Sequence, residues 1–184
     1  MVYRLLPVEL FRGHWKALSD YRAVKPVPDR LTRVALTLIP LCAGGCMIIF
    51  GGTLAAPGAL LSGVALLAGG FLAAFAQISN LRIKLTERMR DLPDAEQIDR
   101  DALDETASHL LVSSYLSAVT AVILVLGMNF GTNSQGAVQG VWGALVVAPA
   151  VYVLLTFLVS IPRLYSAYAT YNAVRPELSG THRG

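Results

Sequence analysis

Two runs of hydroxyl- and imidazole-bearing residues recur at helical spacing inside otherwise apolar sequence. His109, Ser113, Ser117 and Thr120 follow one face and extend back through Glu105 and Asp101. Tyr152, Thr156 and Ser160 follow another and lead to Arg163. A hydroxyl on an apolar helix has three uses: it bonds the carbonyl four residues earlier, bonds a neighbouring helix, or faces water in a pore. The third use makes these seven residues candidate pore lining. Asp101, Glu105 and Arg163 would then form a cytoplasmic mouth, where a ring of carboxylates favours cations. Glu105 and His109, four residues apart, also form a pair of the type that responds to pH. The plainer reading of that pair is polar residues at a helix cap.

Other chemistry is missing. No carboxylate or amine lies inside an apolar stretch, and proton-coupled pumps and exchangers depend on such groups. His14, His109 and His182 are far apart in the chain and have no ligand-spaced partner. No Ser/His/Asp signature and no phosphate-cradling glycine loop appears, since the glycines lie in apolar runs. The expectation is a protein that is not an enzyme and holds no metal and no cofactor.

The elements that position these residues follow from where charge is absent. Residues 34–81 contain no Asp, Glu, Lys or Arg, and neither do residues 106–162. A membrane-crossing helix needs roughly 20 apolar residues, so each block holds two crossings and a turn. The first block breaks at Gly51-Gly52-Thr53 and Ala56-Pro57-Gly58, the second between Asn129 and Gly136. The spacing predicts spans at 32–50, 57–79, 109–127 and 141–161. The 15 Lys and Arg residues all fall in the N-terminal arm, the central loop or the C-terminal segment. By the positive-inside rule those three segments are cytoplasmic and both termini lie inside. The net charge of +3 reflects this bias and does not indicate nucleic-acid binding. No cleavable signal peptide is expected, because the first apolar run begins only after about 30 charged or mixed residues. Twelve arginines against three lysines, with abundant Ala and Gly, suit a bacterial chain.

The arm carries Phe11, Trp15, Leu18 and Tyr21 at helical spacing, flanked by Arg12, Lys16 and Arg22. Such a helix suits anionic headgroups of the inner leaflet; equally, the same face can dock on the protein's own cytoplasmic helices. Arg4, Arg12, Trp15, Lys16, Arg22 and Lys25 are the candidate membrane-surface or partner-binding residues. Pro26 and Pro28 end the arm, and Asp29 is placed to cap the first span. The second and third spans should continue into the cytoplasm as a charged helical hairpin turning at Asp91-Leu92-Pro93-Asp94. Residues 82–90 are mostly basic and residues 91–105 mostly acidic, so its two arms can pair. Ala65, Gly69 and Ala73, continued by Gln77, form a small-residue ridge for close helix packing within or between subunits. Cys42 and Cys46 read as small packing residues on one face of the first span. Pro149 should kink the fourth, and Tyr165, Tyr168 and Tyr171 form an interfacial aromatic belt.

The resulting expectation is an all-α integral membrane protein with four transmembrane helices in two hairpins, N-in and C-in. Its domains are an amphipathic arm (1–29), a first hairpin (30–79), a charged cytoplasmic hairpin (80–108), a second hairpin (109–162) and a C-terminal helix and tail (163–184). It belongs in the bacterial cytoplasmic (inner) membrane as a multi-pass protein. By architecture alone it is comparable with small four-helix membrane proteins that oligomerise into channels or act as membrane-disrupting effectors in bacterial defence operons. The leading functional expectation is therefore a homo-oligomeric channel or pore-type effector gated from the cytoplasmic side. The alternatives are a non-conducting scaffold or accessory subunit that recruits a cytoplasmic partner, and a small-molecule transporter. The expected partners are anionic headgroups, further copies of the chain, and a cytoplasmic protein or anionic ligand at the basic arm or charged stalk.

Overall fold

A computed structural model of the chain describes residues 7–20, 27–88 and 97–171. Helix α1 spans Val8–Ala17, α2 Arg30–Ile49, α3 Pro57–Arg88, α4 Gln97–Phe130 and α5 Gly140–Tyr171. The two-residue strands β1 (Ser19–Asp20) and β2 (Val27–Pro28) pair antiparallel, as do β3 (Thr53–Leu54) and β4 (Val138–Gln139). These short ladders were not foreseen in the sequence; the second ties together the two loops that join the apolar helices at one end.

Four helices are long and apolar enough to cross a membrane: Arg30–Ile49, Pro57–Lys84, Leu103–Phe130 and Gly140–Pro162. As expected for the second and third spans, helix continues past the apolar residues. α3 reaches Arg88, α4 begins at Gln97 and α5 continues through Pro162 to Tyr171. The turn around Asp91–Asp94 lies outside the described residues, as do Arg4, Tyr21, Arg22, Lys25, Pro26 and Pro176 with the tail.

Local chemistry accounts for the ends. Asp29 caps α2 as its position suggested: Oδ1 accepts from the Thr32 amide at 3.1 Å and Oδ2 from the Thr32 hydroxyl at 2.5 Å. Such a cap contributes about 1 kcal/mol. Gly51, just beyond the end of α2, holds φ at 62°, a left-handed conformation that favours glycine. Pro57 opens α3 at the first helical position, where its missing N–H costs no hydrogen bond. Pro40, Pro149 and Pro162 all lie inside helices.

The packing order differs from the chain order. α3 packs on α4, α4 on α5, and α5 on α2, while α1 lies against α4. The first two spans are therefore not a packed hairpin; α2 and α3 share little contact and each turns to a different partner. The reason is visible at Gly44, where a Cβ would stand 3.1 Å from Ala148 Cβ and 3.3 Å from the Ala144 carbonyl oxygen. α2 and α5 approach that closely because Gly44 has no side chain. Phe71, Ile78, Leu103, Leu110 and Val153 form one core where α3, α4 and α5 meet, and Leu124, Val138 and Val146 form another toward the β3–β4 end. Much of the outward surface is large and apolar, including Leu41, Ile49, Leu66 and Phe130.

At the charged ends of the spans, Arg82 on α3 and Asp104 on α4 pair at 3.0 Å, as the opposite charges of the two arms suggested. Both are partly exposed, so the pair contributes well under about 1 kcal/mol. Cys42 and Cys46 are exposed. The expectation that they pack between helices is thus incorrect within this chain; Gly44, on the opposite side of the helix, makes that contact.

Candidate functional site

The junction between α1 and the apolar helices concentrates the polar chemistry. α1 turns Phe11, His14, Ala17 and the following Leu18 toward the bundle and leaves Val8, Arg12, Trp15 and Lys16 outward. The buried side is thus centred on His14, which is 1% exposed, and not on Trp15 as the aromatic spacing implied. Phe11 meets Tyr115 of α4 edge-on, with centroids 5.9 Å apart. Of the two destinations open to the arm's apolar face, Phe11 and Leu18 take the protein's own helices.

Arg33 of α2 secures the end of α1. Its Nε donates to the Leu18 carbonyl at 3.0 Å and its Nη2 to the Trp15 carbonyl at 2.9 Å. Its guanidinium also stands over the Trp15 ring, 5.5 Å from the centroid. These carbonyls are the ones a helix C-terminus leaves without partners, and a cation there is favoured by the helix dipole.

His14 joins two helices. Its Nε2 lies 2.7 Å from the Tyr152 hydroxyl on α5, and its Nδ1 lies 2.6 Å from His109 Nδ1 on α4. The two imidazoles stand at 84° with centroids 4.5 Å apart. On the far side, His109 Nε2 lies 3.7 Å from Glu105 Oε1. With both rings neutral, one proton order suits the contacts: the Tyr152 hydroxyl donates to His14 Nε2, His14 Nδ1–H donates to His109 Nδ1, and His109 Nε2–H points toward the Glu105 carboxylate. The reverse order would aim a bare imidazole lone pair at that carboxylate. Only one proton fits between the two Nδ1 atoms, so the contact requires at least one ring to be neutral. The arrangement fastens the arm to α4 and α5.

The hydroxyl stripes face inward. Ser113, Ser117, Thr120, Thr156 and Ser160 are each 2% exposed or less. Thr120 donates to the Leu116 carbonyl at 2.6 Å, Thr156 to Tyr152 at 2.9 Å and Ser160 to Thr156 at 2.8 Å, each four residues back. Ser114 crosses instead to the Ala68 carbonyl of α3 at 3.0 Å. The buried Ser117 Oγ has no hydrogen-bond partner among the described residues. Glu105 is half-buried beside His109; the side chains of Asp101 and Arg163 lie outside the described residues.

The small-residue ridge has the opposite character. Ala65, Gly69, Ala73 and Gln77 are all exposed, and nothing lies near the position a Cβ would take on Gly69. Among the described residues the ridge is left uncovered.

A cleft of about 930 Å³ opens beside His14 and Tyr152, bounded by α1, α2, α4 and α5. Arg12, Trp15 and Lys16 line it at the arm, and Pro40, Leu116 and Pro149 line it away from the arm. Among the described residues no group of three or more His, Cys, Asp or Glu side chains is placed to hold a metal ion. The cluster was hidden from sequence reading because its members are 95 and 138 positions apart; the one signal was a histidine placed between Phe11 and Leu18 on the arm. No family model, curated protein or solved structure matches the chain.

Proposed function

We propose that the chain is a non-conducting membrane scaffold or accessory subunit, which presents its basic arm and charged helical extensions to a cytoplasmic partner. The observation that carries this reading is the burial of Ser113, Ser117, Thr120, Thr156 and Ser160 inside a single chain. Hydroxyls that line a pore have to reach water, whereas these are buried, and Thr120, Thr156 and Ser160 bond the carbonyl four residues back. In this reading the His14 contact with His109 and Tyr152 fixes the direction in which Arg12 and Lys16 are displayed.

A conducting assembly is the second reading. Its support is the exposed α3 ridge, Ala65, Gly69 and Ala73, which is open to close approach by another copy. Such a pore would be formed between subunits, not by the hydroxyl stripes. Planar bilayers loaded with a reconstituted oligomer of verified size decide between the two. The scaffold reading predicts no conductance above that of protein-free membranes; discrete single-channel steps contradict it.

A further inference from the structure

α1 lies across α4, reaches α5 through His14 and Tyr152, and touches α2 through Arg33. It stands over a gap that α2, α4 and α5 leave between them and does not fill it. The gap is the cleft of about 930 Å³, within the size range of well-formed ligand sites. From Arg33, beneath the end of α1, to the buried Pro40 on α2 is seven residues, or roughly 10 Å of helix rise. The chemistry is graded along that length. The wall away from the arm is Pro40, Leu116 and Pro149, while Arg12 and Lys16 stand at the arm and no Asp or Glu among the described residues lines the cleft. Trp15 and Thr37, on facing walls of α1 and α2, are both exposed. An apolar recess in a membrane protein, open beside the arm and edged by cations alone, matches an acyl chain below a negatively charged headgroup.

We propose that this cleft binds one anionic phospholipid of the leaflet beside α1, with its phosphate between Arg12 and Lys16 and an acyl chain against Pro40 and Pro149. The fixed cations and concave wall distinguish the site from the general lipid annulus. Trp15, on the cleft, and Trp142, at the opposite end of α5, are the chain's two tryptophans, so one reports on the site and the other on bulk lipid.

The experiment uses the full chain in phosphatidylcholine vesicles containing a minor fraction of phosphatidylglycerol, with bromine on the acyl chains of one lipid at a time. Brominated phosphatidylglycerol should quench Trp15 as though enriched on the order of tenfold at the cleft, while quenching of Trp142 follows the bulk fraction. The double variant Arg12→Ala/Lys16→Ala should bring Trp15 to the bulk value. Thr37→Phe, which adds bulk to the α2 wall facing Trp15 and keeps both cations, should do the same. Thermal unfolding of each variant close to that of the parent chain establishes that the fold survives. Equal quenching of Trp15 by the two lipids overturns the proposal, because ordinary annular lipid then fills the cleft. Protection of Trp15 from both lipids also overturns it, since another segment or a second copy then occupies the space. Undiminished selectivity in Thr37→Phe overturns it too, because the headgroup then binds on the surface and the cleft plays no part.

Discussion

His14 is the residue on which the junction turns, since both of its ring nitrogens are used, one on His109 and one on Tyr152. A buried imidazole that loses a partner keeps the cost of its desolvation, about 1–3 kcal/mol. His14→Ala and His109→Ala should therefore be non-additive, with an interaction term between about 0.5 and 3 kcal/mol. Equilibrium unfolding of the two single variants and the double variant in mixed micelles measures it, and strictly additive losses would show that the rings do not act as a pair. Tyr152→Phe keeps the ring and removes only the hydroxyl, so its cost should be near 1 kcal/mol. The sequence could not supply this cluster. It marked Glu105 and His109 as a pair through their i, i+4 spacing, but nothing local indicates that His14 completes it. The same reasoning applies to the stripes: spacing shows that Ser113, Ser117 and Thr120 share a helix face, and a face has no direction until its neighbours are placed.

At the scale of elements, apolar runs and breaks located all four long helices, because uncharged stretches and glycine–proline turns are local properties of the chain. The continuation of helix into charged sequence, α3 to Arg88 and α4 from Gln97, was legible for the same reason, since nothing in those stretches breaks a helix. Pairing was less legible. Consecutive spans were read as hairpins, but α2 chooses α5 because Gly44 admits Ala144 and Ala148. Gly44→Leu should thus separate α2 from α5 and destabilise by about 1–3 kcal/mol through overpacking. Gly45→Leu, where nothing lies within 4 Å, should stay within about 0.5 kcal/mol. Comparable losses at the two neighbouring positions would contradict the α2–α5 crossing. The two cysteines show the same limit of one-dimensional reading: small residues at i, i+4 were assigned to packing, whereas the contact belongs to a glycine between them.

For the whole molecule, the account is one of inward polarity and outward apolarity across the spans, with charge kept to the arm and the ends of the long helices. The four-helix membrane character was legible in the two uncharged blocks. What those blocks enclose was not, because an apolar stretch carrying a hydroxyl stripe reads alike whether the stripe lines water or packs between helices. The central claim is that these hydroxyls are interior packing. Its most direct test is thiol accessibility in a chain carrying Cys42→Ala and Cys46→Ala, with single cysteines placed in turn at Ser113, Ser117, Thr120, Thr156 and Ser160. A charged, membrane-impermeant thiol reagent should leave all five unmodified in reconstituted protein while labelling a control cysteine at Ser134, an exposed loop position. Modification of the five as a contiguous stripe, at rates near that of the control, would place them in water and contradict the account.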